Sequence, residues 1–134
     1  GDDFRRAYTE GDTTTLGRSV FPDAHGDLSL TVGAVSSIND PVADAAALGS
    51  ALAAGHLVRT RSDSDGTEAR AGDTAHRDAA LASGAHFVST DFPVPHPDTG
   101  YVVGMPGGTP SRCNPVTAPV ECASKALEDP AFIQ

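Results

Sequence analysis

Two short stretches carry side chains that could do chemistry. "HLVRTR" at 56–61 sets Arg59 and Arg61 two residues apart, and "HFVSTD" at 86–91 ends in Ser89, Thr90 and Asp91. Side chains two apart on an extended strand share a face. Arg59 and Arg61 therefore project together with Leu57, and Ser89 and Asp91 project together with Phe87. Guanidinium forks suit phosphate groups. A carboxylate near them can line the same site. It can equally close a plain ion pair at a sheet rim, Asp91 with Arg59 or Arg61. Both readings stand on the residues alone.

The elements that must position these residues read as follows. Residues 1–9 look like the last turns of a helix, with Phe4, Ala7 and Tyr8 on one face and a break at Gly11. "GRSVFP" (17–22) is a short extended segment closed by Pro22, and "LSLTVGAV" (28–35) is a second strand or an irregular loop. "NDP" (39–41) starts a helix that runs to Gly55, a left-handed end. "SDSDG" (62–66) is a turn; it lacks the spacing and the final Glu of a calcium-binding helix-loop-helix. A second helical stretch covers about 67–83, with a break near Asp73, and ends at Gly84. "FPVPHPDTG" (92–100) is a proline-rich loop and "YVVGM" (101–105) is extended.

From 17 to 91 the order is strand, helix, strand, helix, strand. That is the pattern of βα units in a parallel sheet. Each of the two strands has one face that turns polar at its carboxyl end. Active sites of α/β proteins lie at that end. Ser89 and Asp91 are therefore expected to line a site.

The 134 residues suffice for one domain with a modest core, and the net charge of −9 argues against nucleic acid as a partner. No apolar run approaches the roughly 18 residues of a membrane span. The sequence opens at Gly1 without a charged-then-apolar leader, so a signal peptide is expected to be absent or removed. Cys113 and Cys122 frame a proline-rich loop, "RCNPVTAPVEC". They are too few for a structural zinc site. The pair reads as a disulfide, which places the chain in a secreted or extracytoplasmic setting; two free thiols are the other reading.

"VRTRSDSD", "HRDAALASGA" and "VSTDFP", with the earlier "NDP" and the later "PGGTPSRCNP", resemble the carboxyl-terminal half of the bacterial calcium-dependent, phosphatidylinositol-specific phospholipase C-like family. The resemblance spans about 4–122. It implies the C-terminal part of a TIM-type (β/α)8 barrel: about three βα units over 1–105, then a Pro/Gly-rich, disulfide-closed covering segment and tail over 106–134. It also implies cleavage of a phosphoinositide phosphodiester, with one histidine as base on the inositol hydroxyl and a second as acid on the leaving oxygen. A Ca²⁺ ion and a basic side chain would stabilise the charged phosphorus centre. The family's two histidines and its main Ca²⁺ ligands belong to the N-terminal half of the barrel, which this chain does not match.

By that resemblance Asp91 is the carboxylate that orients a base histidine not present in this chain. Arg59, Arg61 and Ser89 are substrate contacts. His25, His56, His76, His86 and His96 match no catalytic motif of the family, and none is expected to be catalytic. No metal ligand is assigned within this chain. Two other readings are a relative of the glycerophosphodiester phosphodiesterases, which share the barrel ending, and a secreted binding module without chemistry. Three βα units cannot close an eight-stranded barrel, so the half-barrel reading expects open edges and inactivity in isolation.

Overall fold

The computed structural model describes residues 2–9, 19–30, 32–107, 110–127, 129 and 131. Helix α1 (Asp2–Thr9) precedes strand β1 (Val35–Ser37), helix α2 (Ala45–Ala53) and strand β2 (Leu57–Arg61). Helices α3 (Thr67–Ala71) and α4 (Ala75–Ala82) lead to strand β3 (Phe87–Ser89), and a 3-10 turn covers Ser124–Leu127. The strands form one parallel sheet in the order β1-β2-β3.

Asp40 caps the segment before α2: its Oδ1 accepts the N–H groups of Val42 and Ala43 at 3.0 and 2.8 Å. Gly55 and Gly84, both near φ +80°, turn the chain from helix to strand as expected. The break expected near Asp73 in the 67–83 stretch divides it into two helices. Gly72, at φ 67°, ends α3, and the chain restarts at α4 behind Thr74.

The first strand differs from its expected place. Residues 19–22 form no strand, and positions 17 and 18 lie outside the described residues. "LSLTVGAV" is an irregular loop over most of its length. Asp27 takes the backbone and hydroxyl of Ser29, and Gly33 N–H bonds back to the Leu30 carbonyl, so the chain turns where apolar spacing had read as extended. The strand begins only at Val35. A stub precedes it: Asp23 bridges Val35 in parallel, and Ala24 N–H reaches the Val35 carbonyl at 2.7 Å. "YVVGM" joins no strand; the segment is tied down by Val103 N–H on the Phe92 carbonyl.

Register fixes which side chains share a face. Val35 lies beside Leu57, Ser37 beside Arg59 beside Phe87, and Arg61 beside Ser89. The opposite face carries Ser36 beside Val58 and Thr60 beside Val88. Val58 packs with Ile38, Leu48 and Ala51, so this second face meets the helices; α2 and α4 both lie against β2. The arginine face has no helix on it among the described residues. Leu57 is 49% and Phe87 61% exposed there. Burying two such side chains is normally favourable by roughly 1.5–3 kcal/mol each, so the face is an unfinished one.

The carboxyl-terminal segment straps the far end of α4. Cys113 and Cys122 form a disulfide. Arg112 donates to the Leu81 carbonyl, Asn114 Nδ2 donates to the Gly84 carbonyl at 2.7 Å, and Val116 packs on Gly84.

Candidate active site

β2 and β3 run parallel and end together, so Arg59, Arg61, Ser89 and Asp91 gather at one end of the sheet. The two arginines have different partners. Arg61 Nη2 bonds Asp91 Oδ2 at 3.1 Å. Arg59 Nη1 bonds the neutral Asn39 Oδ1 at 2.5 Å, across from the end of β1. Of the two ion pairs open in the sequence, the structure makes Arg61–Asp91. Ser89 Oγ turns to the Thr60 carbonyl at 3.3 Å, a long hydrogen bond. Arg61 meets Asp91 through one nitrogen, and its Nε is buried without an acceptor among the described residues. Buried unsatisfied donors are rare in folded proteins.

Beneath this cluster lies Asp63, 1% exposed. The sequence reading left it as a turn residue. Its Oδ1 accepts the Asp91 N–H at 3.0 Å, and its Oδ2 accepts the Thr90 hydroxyl at 2.5 Å and the Ser62 hydroxyl at 2.9 Å. Ser62 N–H bonds the Ser89 carbonyl at 3.0 Å, and the single Ser62 hydroxyl proton is shared between that carbonyl, also at 3.0 Å, and Asp63. Tyr101, just past the proline-rich loop, closes the group, its hydroxyl donating to the Ser62 carbonyl at 3.0 Å. Burial, helped by the nearby Asp63 charge and opposed by Arg77, pushes the Tyr101 hydroxyl up to about 12. It is a fixed donor at neutral pH.

Asn39, Asp63 and Tyr101 are the site neighbours that sequence reasoning missed. A signal for Asp63 existed. It is an acceptor-only side chain just past β2, and Ser and Thr hydroxyl donors stand at the matching end of the next strand. Asn39 had been read only as part of the "NDP" helix start.

The five imidazoles all have partners away from this cluster or none that would serve it. His56 Nδ1 is 2.9 Å from the buried Ser36 hydroxyl, and His86 Nδ1 accepts the Val58 N–H at 3.1 Å; both sit at strand starts. His76 lies between Asp40 and Glu68, at 3.6 and 3.3 Å. His96 Nδ1 takes the Asp98 N–H, and His25 lies 3.7 Å from Asp23.

A small parallel sheet with helices between its strands, and cationic and carboxylate side chains at its carboxyl edge, defines a partial α/β fold. The family model described as "Phosphoinositide phospholipase C, Ca2+-dependent" matches residues 1–115, and the chain belongs to this family. No curated protein and no solved structure matches the chain.

The family description names calcium, a cation that takes six to eight oxygen ligands. The described residues offer no such cage. Asp63 has three donors on its carboxylate, Asp91 faces a guanidinium, and no group of three or more His, Cys, Asp or Glu side chains among the described residues is placed to hold a metal ion. No step is assigned to an ion held by these residues.

Proposed function

We propose that the chain is the carboxyl-terminal part of a secreted phosphodiesterase barrel that cleaves phosphoinositide lipids. The observation that carries this reading is the convergence of Arg59, Arg61 and Asp91 at one end of the parallel sheet, in a chain of this family. The helix-free face bearing Leu57 and Phe87 fits the inward face of a barrel, where side chains of neighbouring strands stack in layers. The remaining strands, the two catalytic histidines and the calcium ligands come from an N-terminal half. The domain division at 105/106 and the extracytoplasmic setting are parts of the same proposal, the latter supported by the Cys113–Cys122 disulfide.

The roles follow from the contacts. Arg59 is bonded to a neutral amide, so its charge is available to a phosphodiester or its inositol hydroxyls. Arg61 holds Asp91 in place. Asp91 Oδ2 faces Arg61, and its carboxylate is 61% exposed, open to an incoming imidazole N–H. A carboxylate there fixes the tautomer and orientation of a base histidine and stabilises the imidazolium formed as the inositol hydroxyl attacks phosphorus. Ser89 is a hydroxyl contact once it leaves the Thr60 carbonyl.

The test is an assay of this chain alone and together with a family N-terminal half, using phosphatidylinositol and a glycerophosphodiester as substrates. Activity on phosphatidylinositol only in the combined sample supports the reading. Activity of this chain alone would overturn the placement of the histidines, and preference for the glycerophosphodiester would overturn the substrate.

A further inference from the structure

Asp63 is a buried carboxylate that makes no ion pair among the described residues. Such a group is costly to bury unless hydrogen bonds replace its hydration. Here three donors do so, and two of them, the Thr90 hydroxyl and the Asp91 N–H, belong to the end of β3. Thr90 Oγ1 in turn accepts the Phe92 N–H at 2.9 Å. The strand ladder ends at Arg61–Ser89, and past that point side chains of residues 62 and 63 carry the pairing on. The residue they fix is Asp91, whose carboxylate meets Arg61 at 3.1 Å.

We infer that Asp63 is a positioning residue: it locks the β3 exit so that the Asp91 carboxylate and the Arg61 guanidinium are preorganised for the reaction. This rests on the proposed roles of Asp91 and Arg61. The donor set explains the residue type. An acceptor-only group matches three donors, whereas an amide would present its own N–H to a hydroxyl. Preorganisation of this kind matters because displacements of about 1 Å in a site can cost roughly a hundredfold in rate.

The test is NMR of the full 134-residue chain in four forms: wild type, Asp63→Asn, Thr90→Val and Thr90→Ser. Amide exchange is read at Asp91, with Leu48 and Val58 as core references, and the Arg61 Nε–H resonance is read in the same samples. In D63N and T90V the Asp91 amide should exchange about tenfold faster while the core amides change less than about twofold. The Arg61 Nε–H signal should move toward the position of exposed arginines. T90S, which keeps the hydroxyl, should behave as wild type. An unmoved Arg61 signal would overturn the inference and leave Asp63 a fold element only. Equal acceleration at Leu48, Val58 and Asp91 in both D63N and T90V would overturn it as well. The readout needs no turnover, so failure of the phosphodiesterase reading would appear in the activity assay and not here.

Discussion

Arg61 Nη2 and Asp91 Oδ2 stand 3.1 Å apart across the paired ends of β2 and β3, thirty residues apart in sequence. Arg59, on the same sheet face, meets the neutral Asn39 instead. One arginine thus meets a carboxylate within the fold and the other a neutral amide.

Replacing Asp91 by Asn separates stability from chemistry. The carboxylate is 61% exposed, so the pair is screened and its loss should lower unfolding stability by less than about 1 kcal/mol in a urea titration. On the proposed role of Asp91 as the partner that orients a base imidazole, the same change in the combined enzyme should reduce kcat by about a hundredfold or more. A kcat within twofold of wild type would remove Asp91 from the mechanism.

Alkaline unfolding should report Tyr101. Its hydroxyl is raised from the ordinary value of 10.0 to about 12, chiefly by burial. A group with a raised folded value contributes stability that is fully present below pH 10 and lost as pH rises toward 12. The contribution is on the order of 2 kcal/mol. Tyr101→Phe should flatten this limb of the stability profile; an unchanged limb would show that another group titrates there.

Gly84→Ala tests the junction between α4 and β3. The backbone is left-handed at φ 80°, and an added Cβ would stand 2.8 Å from Val116 Cγ2. A loss of more than about 1 kcal/mol is expected. Adding Val116→Ala should recover only a fraction of the loss, because the Val116 Cβ that alanine keeps still stands 2.9 Å from the added atom, and a thermal melt of the double variant reads that fraction.

Reducing Cys113–Cys122, which lie 9 residues apart, should destabilise the strap by about 2–3 kcal/mol on loop-entropy grounds. The melting temperature with and without reductant measures it. No change would mean that the Arg112 and Asn114 bonds to Leu81 and Gly84 hold the segment unaided.

Much of the sheet was legible because strands and helices here alternate with glycine punctuation. Gly55 and Gly84 marked the starts of β2 and β3, and parity along "HLVRTR" separated the arginine face from the Val58 face. β1 was misplaced because its visible residues, Val35-Ser36-Ser37, carry little apolar signal. Ser36 is buried through hydrogen bonds to Gly26 and His56, which no hydropathy pattern encodes. The same blindness hid Asp63. Alternation places side chains on faces, but an isolated buried carboxylate is justified only by donors that arrive from another strand. The choice of Arg61 over Arg59 as the partner of Asp91 depends on stagger between strands, which parity leaves open.

The bridge from Asp23 to Val35 gives the sheet a direction of growth. It occupies part of the outer edge of β1, while no strand among the described residues lies along the outer edge of β3, which borders a groove of about 420 Å³ lined in part by Val88, Met105 and Pro110. Head-to-tail stacking of copies needs two complementary free edges, and here one is obstructed. Pairing of β3 with its own symmetry mate needs only one and closes after two copies. The sheet is thus partly closed at its β1 edge, and its β3 edge carries no strand among the described residues.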